Sequence, residues 1–574
     1  MVQCPSTTLL HPTPISNPSA VIVLTESAEP AYTGPAAQNT VANGVSLTYV
    51  SNGGAVKCQQ ISGGDGYMTE ADGNQTFMFS FGPLSGLGLI QHGLPGTLFA
   101  TDFNQPYTAG PNLWNGQPNT QYDGTTSVFD PAVGALGANG AITDPAMIMN
   151  TGVMNGNIPA PLIAVDEDDE FFLTLSNVGM IMRPDLFEQH TVHWHGYPNA
   201  SSFYDGVPDA SLAINIGGSF TYYYLAPDAG TYFWHCHITP PEHLQMGMVG
   251  QLYVRPRQNR VPVGNSLFAS LAGCAAVNGV QGSCPARGVP GVAGQQSDLR
   301  TGCNPAVDIL CSVPLPPVDN GVMQGAYAAD DPTGLGRYHK NDSFKYAYND
   351  GDGSTRYDID VPLQIHGFDP NFHFIGMTFN QEPFSDMKDK YFLLNGRSYP
   401  DTVGVPSTPG FSTTSQTNPN TGVATPNPNP ATNAMSTEAS DGYSRPSQPM
   451  PSLIVLSSGG GPPGTCGAGV SPCGQRALLR IADLDVSEYQ TLASLGIPMQ
   501  LIGFNAKLLR DQSGNNLYQT MNSITLGGGE SLDVILDSTG VPPGTYFLYT
   551  PNLDHLSNDA ENFGGLMTEI VILP

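Results

Sequence analysis

The chain has 574 residues, of which only 12% are charged, and its formal net charge at pH 7 is −29. This charge argues against nucleic acid and anionic membrane surfaces as partners, because both are negatively charged. It suits cations and basic proteins, although a soluble, acidic extracellular surface is the simpler explanation. The 67 glycines and 51 prolines indicate many turns and few long helices, and no apolar run approaches the length of a membrane span.

Short strand-like segments dominate and predict an all-β protein with two domains. Examples are 170–177, 219–225 and 250–254, which are rich in aromatic and β-branched residues and bounded by turn formers. We assign the first domain to residues 1–257, with a Gly-, Asn- and Asp-rich insertion at about 52–150 that decorates it. A Cys-, Gly- and Pro-rich connector follows at about 258–355. The second domain spans 356–574 and includes a low-complexity loop at about 403–450.

The densest group of metal-binding side chains lies between residues 190 and 248. His190, Cys236, His243 and Met248 supply two imidazoles, one thiolate and one weak thioether. This is the trigonal-plus-axial ligand set of a blue, type 1 copper site. Zinc is the main rival, but structural zinc sites usually carry paired cysteines, and a methionine ligand favours copper.

Four further histidines form two His-x-His pairs, His193 with His195 and His235 with His237. Residues two apart on a strand point to the same face, so the pairs predict a second, imidazole-only metal pocket beside the first. Cys236 lies between His235 and His237, and a few covalent bonds would therefore connect the two sites. Copper redox chemistry is the leading interpretation.

The other cysteines predict disulfides and hence an oxidising compartment. With Cys236 set aside, eight remain, including three close pairs at 274/284, 303/311 and 466/473 that leave Cys4 with Cys58. This pairing is a guess, because eight cysteines allow 105 connectivities. An even set indicates a secreted protein, extracellular or periplasmic. The N-terminus shows no basic and apolar leader, so we expect that a signal peptide has been removed or left out.

An internal repeat predicts that the second domain is related to the first. Residues 192–197 align with 499–504, and residues 230–237 align with 544–551. The second copy lacks the metal ligands of the first. At the positions of His193, His195, His235, Cys236 and His237 it carries Gln500, Ile502, Tyr549, Thr550 and Pro551.

These motifs resemble those of the multicopper oxidases, a family built from cupredoxin domains. The resemblance covers most of both domains, and His235-Cys236-His237-Ile is its most specific motif. It implies two cupredoxin-like Greek-key β-sandwich domains with long loop insertions. It also implies the same type 1 ligands. Met248 is preferred to Met246, because the family usually has four residues between this histidine and the methionine, as between His243 and Met248.

The resemblance assigns His193, His195, His235 and His237 to one half of a trinuclear copper site. In the family an electron passes from the type 1 copper through the thiolate and its flanking histidines to the cluster, which makes Cys236, His235 and His237 the catalytic residues here. A complete cluster needs eight histidines, and only four are visible.

A type 1 set in the first domain resembles the copper nitrite reductases. There His195 and His235 would match two of the three ligands of a mononuclear copper at a subunit interface, and His193 replaces the proton-donating aspartate. His366 and His373 are candidates to complete such a site across an interface, so a homo-oligomer is one assembly to consider.

The leading hypothesis is a secreted copper-dependent oxidase that takes single electrons from a phenolic or metal-ion reductant. It would pass them from the type 1 copper to the His-ligated site and on to dioxygen. One alternative is an electron-transfer or structural cupredoxin with an incomplete second copper site. Another is nitrite reductase-like activity.

Overall fold

The computed structural model describes residues 3–15, 29–32, 36–104, 152–262, 344–403, 415–417, 424–426, 452–461 and 473–574, with short gaps at 43, 52, 71–73, 87–89, 91–94, 155, 157, 199–200, 227, 377–382, 512–514, 560 and 563. Most of the predicted connector and of the predicted low-complexity loop lies outside these residues. The cysteines at 274, 284, 303, 311 and 466 do so as well.

The first part of the chain is a series of strands with two short helices. The strands are β1 (Ala36–Ala42), β2 (Val45–Ser51), β3 (Val56–Thr69), β4 (Gln75–Pro83), β5 (Leu98–Phe99), β6 (Ile163–Asp166), β7 (Glu170–Gly179), β8 (His193–Trp194), β9 (Ser219–Leu225), β10 (Gly230–His235) and β11 (Val249–Arg255). The helices are α1 (Ala100–Phe103) and α2 (Pro240–Gln245), and single 3-10 turns occur at Ser202–Tyr204 and Arg257–Arg260.

The second part repeats this character. Its strands are β12 (Lys345–Tyr346), β13 (Arg356–Tyr357), β14 (Ile359–Phe368), β15 (Tyr391–Leu394), β16 (Ser415–Thr417), β17 (Ala424–Pro426), β18 (Ile454–Ser457), β19 (Arg476–Asp483), β20 (Gln490–Ser494), β21 (Met499–Phe504), β22 (Lys507–Leu508), β23 (Gln519–Met521), β24 (Ser523–Leu526), β25 (Ser531–Asp537), β26 (Gly544–Tyr549), β27 (Ser557–Asn558), β28 (Glu561–Asn562) and β29 (Met567–Leu573). Helix α3 covers Pro370–Gly376, and 3-10 turns lie at Phe384–Asp386, Asp401–Val403 and Leu553–Leu556. Among the described residues, no helix is long and apolar enough to cross a lipid bilayer.

Two facing sheets form the first domain. One has the strand order β4-β3-β7-β9 and the other β6-β11-β10-β8. Apolar side chains from both sheets meet in one buried core, which includes Phe171, Tyr224, Trp194 and Trp234. Such packing of two inner faces is the architecture of a β-sandwich. The last strand pair of the second sheet, β8 with β10, carries two of the predicted ligands, His193 and His235, and His195 directly follows β8.

The second domain has the same strand order as the first. Its sheets run β15-β14-β19-β25 and β18-β29-β26-β20, with further strands added at the edges. The parallel pairs also correspond, since β3 with β7 matches β14 with β19, and β6 with β11 matches β18 with β29. A separate buried core lies between these two sheets. The prediction of an all-β protein with two cupredoxin-like β-sandwich domains is therefore confirmed.

The register of the second domain corrects half of the predicted internal repeat. In the first domain His193 pairs with His235, and the equivalent ladder of the second domain pairs Ala493 with Tyr549. The counterpart of β8 is therefore β20, whereas β21, which holds 499–504, belongs to the other sheet. The alignment of 192–197 with 499–504 was wrong because both stretches share only a local strand-and-glycine pattern. The alignment of 230–237 with 544–551 agrees with the strand order.

The predicted insertion at 52–150 also needs correction, because it contains two strands of the first sandwich. Strands β3 and β4 pair with each other, and β3 pairs with β7 in the centre of the sheet. Their glycine content concealed them, since glycine disfavours a strand prediction. At Gly63 the reason is close packing: a Cβ there would lie 2.6 Å from Cδ2 of His190.

Cys4 and Cys58 form a disulfide that fastens the N-terminal segment to β3, so the predicted pairing of these two residues is confirmed. Cys473 is also disulfide-bonded, and Cys236 is a free, buried cysteine. The two domains pack closely at β10. Thr231 Oγ1 donates a hydrogen bond to Asp533 Oδ1 at 2.7 Å, which holds β10 against the second domain.

Candidate metal centre

One buried cysteine and two buried histidines converge in the first domain. Cys236 directly follows β10, His243 lies in α2, and His190 forms an isolated bridge with Ile214. The Cys236 sulfur is 3.2 Å from Nδ1 of His243 and 4.0 Å from Nδ1 of His190. All three side chains are fully buried, and their donor atoms lie within 4.8 Å of one another. The structure therefore brings together three of the four residues predicted as type 1 ligands.

The electrostatics of this group suit a cation between the rings and the sulfur. Burial and the neighbouring His243 lower the pKa of His190 well below its usual value, so its ring stays neutral. Burial alone would lower the pKa of His243, but Cys236 and Glu188 together raise it to about 10. The backbone N–H of Thr191 also points at the Cys236 sulfur from 3.4 Å. The thiolate is the form of cysteine that binds metals.

Met248, the predicted axial ligand, is fully buried in the same apolar core as Cys236. Its backbone carbonyl accepts a hydrogen bond from the Cys236 N–H at 3.0 Å, and its own N–H donates to the His243 carbonyl at 2.8 Å. Met246, the alternative, is also buried in this core. The choice of Met248 remains a prediction.

A second group is formed by His193, His195 and His235, whose donor nitrogens also lie within 4.8 Å of one another. Each ring is fixed by a backbone contact on its Nδ1 side. His235 Nδ1 lies 2.6 Å from the Cys236 carbonyl, and His193 Nδ1 lies 2.7 Å from the Asp205 carbonyl. Donation to these carbonyls leaves the lone pair of both rings on Nε2.

The third ring, His195, is held from the other domain. It is hydrogen-bonded to the backbone of Gly529, a contact that raises its pKa, as donation to a carbonyl does. A Cβ at Gly529 would lie 2.8 Å from His195 Nδ1, and the φ of this glycine is +86°, so both the space and the backbone require glycine. The second domain thus completes the surroundings of a pocket built by the first.

This pocket fits a metal ion. Nε2 of His195 lies 2.8 Å from Nε2 of His235, and both nitrogens are lone-pair atoms when the Nδ1 positions carry the protons. Two acceptors at this distance repel each other unless a proton or a metal ion lies between them. Burial, with nearby histidines, lowers the pKa of His195 to about 4, and burial also lowers the pKa of His193 and His235. A bound proton is therefore disfavoured, and neutral imidazoles are the form that binds metals.

His237, the fourth predicted ligand of this pocket, lies beside the group and not within it. Its ring is edge-on to His193 with centroids 5.0 Å apart, and its backbone N–H donates to Thr191 Oγ1 at 2.9 Å. Its role as a ligand remains a prediction.

Other histidines from the sequence analysis have different roles. His373 contacts the carbonyls of Phe77 and Gln245 through its two nitrogens, at 2.6 and 2.9 Å. His366 and His373 are both 1% exposed, so neither is presented to a neighbouring subunit. His555, in the second domain, is buried and contacts Gln490 and Glu488.

Two acidic residues that the sequence analysis did not single out lie against the candidate ligands. Glu188 Oε2 is 3.3 Å from Nε2 of His243, and Asp205 Oδ2 is 3.6 Å from Nδ1 of His193. Glu188 is two residues from His190, a proximity that could have drawn attention to it. Asp205 gives no such signal, because the 3-10 turn at 202–204 brings it to the pocket.

Comparisons with known proteins find similarity to copper proteins in the first domain. A family model described as multicopper oxidase matches residues 140–259. The chain is 35% identical over 108 residues to Multicopper oxidase MCE of Talaromyces pinophilus, covering 18% of this chain and 16% of that protein. It is 35% identical over 91 residues to Multicopper oxidase MmcO of Mycobacterium tuberculosis, covering 16% of each chain.

Two solved structures from Nitrosomonas europaea are also similar in outline. A blue copper oxidase aligns with a TM-score of 0.43 at 16% identity, covering 90% of this chain and 85% of that chain. A copper nitrite reductase aligns with a TM-score of 0.38 at 11% identity, covering 90% and 94%.

The chain spans about a sixth of the length of the curated relatives it matches. The stretch matched by the family model, residues 140–259, includes both groups of converging ligand atoms. The family model described as multicopper oxidase thus matches the stretch that holds the eight candidate copper ligands.

Proposed function

We propose that this chain is a copper-dependent oxidoreductase with two copper sites in its first domain. His190, Cys236 and His243 would hold the first copper, with Met248 as axial ligand. His193, His195 and His235 would hold the second, with His237 beside it. When bound, copper would supply one-electron redox chemistry at both positions. The observation that carries the proposal is the pair of facing Nε2 atoms of His195 and His235, 2.8 Å apart. His235 is followed in the sequence by the buried thiol of Cys236.

The chain itself supplies a short route between the two sites. Cys236 and His235 are consecutive, so only the peptide unit between them and the first bonds of their side chains separate the sulfur from a ring of the second pocket. The hydrogen bond from His235 Nδ1 to the Cys236 carbonyl, at 2.6 Å, adds a second connection between the same residues. Both residues are buried, and this excludes water from the route.

Electrons would enter where the first site comes nearest to the surface. His243 is fully buried, but the Glu188 side chain that contacts it is 25% exposed. Phe187, beside it in sequence, is 83% exposed. A small phenolic or metal-ion reductant that reaches Glu188 would lie one hydrogen bond away from a ligand of the first copper.

Dioxygen is the proposed electron acceptor, and its reduction to water consumes protons. Asp205 is placed to relay them, because its carboxylate lies 3.6 Å from His193 and its side chain is 29% exposed. The disulfide between Cys4 and Cys58 supports a secreted protein, as does the acidic composition.

Metal analysis, visible and EPR spectra and oxygen uptake with a phenol or Fe(II) test the proposal. We expect one copper per site, an intense blue absorption from the thiolate, and oxygen uptake. Cys236→Ser should remove the blue absorption and keep the EPR signal of the other copper. His195→Ala should do the reverse. A copper-loaded protein without blue absorption would contradict the first site, and one without oxygen uptake would contradict the oxidase.

Nitrite reduction is a second candidate function. It is favoured by the observation that three histidine nitrogens lie within 4.8 Å of one another, with one carboxylate, that of Asp205, nearby. Three nitrogen ligands suit one copper ion better than a cluster of three. Release of nitric oxide from nitrite with an artificial electron donor would support this reading. A reversible redox wave with neither oxygen nor nitrite turnover would instead indicate an electron-transfer protein.

A further inference from the structure

Helix α2 carries the candidate ligand His243, and its last residue is held by the second domain. The side-chain amide of Gln245 donates to Asp389 Oδ1 at 3.3 Å. Nε2 of His373 lies 2.9 Å from the backbone carbonyl of Gln245. Gln245 is fully buried, so these interdomain contacts fix the end of the helix without competition from water.

Asp389 does not act alone, because it is hydrogen-bonded to a second buried carboxyl group, that of Asp485. Two ionised carboxylates can only accept hydrogen bonds, so this contact requires a proton on one of them. Both residues are at most 6% exposed. A Cβ at Gly367 would lie 2.6 Å from Asp485 Oδ2 and 2.7 Å from Asp389 Oδ2, so the backbone of β14 comes close enough to confine the pair.

The direct contacts of the pair are neutral. Ser487 Oγ donates to Asp389 Oδ2 at 2.6 Å, and the backbone N–H of Ser487 donates to Asp485 Oδ1 at 2.9 Å. The backbone N–H of Glu488 donates to the same oxygen at 3.3 Å, and the side-chain amide of Gln490 contacts Asp485 Oδ2.

The titratable groups described around the pair supply no buried positive charge that could balance a second carboxylate in place of the shared proton. Burial, with the charge of Asp485, raises the pKa of the neighbouring Asp483 well above its usual value, and burial lowers the pKa of His366 on β14, so both groups are neutral. Lys388 and Lys390 flank Asp389 in sequence, but both are exposed.

A chain of hydrogen bonds connects this pair to the surface. The side-chain oxygen of Gln490 lies 2.9 Å from His555 Nδ1, and His555 Nε2 lies 2.7 Å from Glu488, whose side chain is 40% exposed. Three hydrogen bonds therefore separate the pair from a partly exposed carboxylate.

We propose that Asp389 and Asp485 form a proton-dependent latch that holds α2, and with it His243, against the second domain. With one proton shared, the pair is compact and Asp389 keeps its contact with Gln245. Loss of the proton leaves two like charges in contact, which must separate. The end of α2 is then released and the geometry of the first copper site changes. The effect on copper rests on the proposed function, whereas the latch itself does not.

The midpoint of this change follows from the environment of Asp389. Burial, together with the charge of Asp485 and the hydrogen bond to it, raises the pKa of Asp389 to about 9. The folded protein therefore keeps a proton that the unfolded chain releases near pH 4. Between these two values the stability contributed by the pair is lost as the pH rises.

Two pH titrations from pH 6 to pH 10 test the latch. One follows the blue absorption and reduction potential of the copper-loaded protein, and the other follows the melting temperature of the metal-free protein. Asp389→Asn is the test variant, since its amide can donate to Asp485 and accept from Gln245 without titrating. Asp386→Asn, at an exposed acid of the same segment, is the matched control.

We expect a transition near pH 9 in the wild type and in Asp386→Asn, and its loss in Asp389→Asn. The melting temperature of Asp389→Asn should also fall less with pH. An unchanged transition in Asp389→Asn would overturn the latch. If this variant does not fold, Asp485→Asn carries the same expectation and the same refutation. If no copper binds but the melting temperatures behave as expected, the proposed function fails and the latch stands.

Discussion

Glu188→Gln should raise the reduction potential of the first copper site. The carboxylate of Glu188 lies 3.3 Å from Nε2 of His243, and its negative charge stabilises the more positive, oxidised state of the site. The Glu188 side chain is 25% exposed, so solvent partly screens the contact. We therefore assign it an interaction energy of about 1 kcal/mol, between that of an exposed ion pair and that of a buried charged hydrogen bond. For a one-electron couple this corresponds to a rise of roughly 40 mV.

Spectroelectrochemical titration of the blue absorption measures this shift directly. Glu242→Gln is a matched control, because Glu242 also lies near His243 but acts on it through charge. Burial raises the pKa of Glu242, which reduces its average negative charge and predicts a smaller shift. An unchanged or lower potential in Glu188→Gln would refute the reasoning. An equal shift in both variants would show that the hydrogen bond to His243 has no special effect.

Three further predictions concern stability and the second site. Gly63→Ala places a methyl group 2.6 Å from His190. We expect the free energy of unfolding, measured by urea denaturation, to fall by about 1–3 kcal/mol, and the blue absorption to weaken. An unaltered spectrum would contradict this. Because the pKa of His195 is lowered to about 4, the metal-free protein should lose stability as the pH falls from about 6.5 to 4, and His195→Asn should lose less over that range. Joint replacement of Cys4 and Cys58 by serine opens a loop with a sequence separation of 54 and should lower the free energy of unfolding by roughly 4 kcal/mol, measured by chemical denaturation; reductant should then destabilise the variant less than the wild type, and an equal effect on both would contradict this.

The ligand positions were the most predictable part of the molecule. His235, Cys236 and His237 are consecutive, and strand alternation requires that Cys236 point to the opposite face from its neighbours. That rule alone separates the buried thiol from the histidine pocket. The convergence of His190 and His243 on this thiol was predicted from the ligand chemistry of copper, and the distances of 3.2 and 4.0 Å agree with it.

The parts that could not be predicted depend on contacts between distant segments. Strand β3 looks like a glycine-rich insertion because the reason for one of its glycines, Gly63, is the ring of His190, which lies 127 positions away. The counterpart of β8 in the second domain is fixed by ladder register, which short motifs do not reveal. Asp389 and Asp485 likewise look like ordinary surface acids until the fold buries them together.

The backbone contact between His195 and Gly529 has a consequence for how the protein acquires its metal. Two of the three rings in the histidine pocket are oriented by carbonyls of the first domain, but the third is oriented by the second domain. A folded first domain on its own would therefore lack the contact that orients His195 and the contacts that hold the end of α2. Metal uptake by the histidine pocket would then depend on docking of the two domains. The second domain, which holds none of the eight candidate copper ligands, would thus control when the first can be fully loaded with metal.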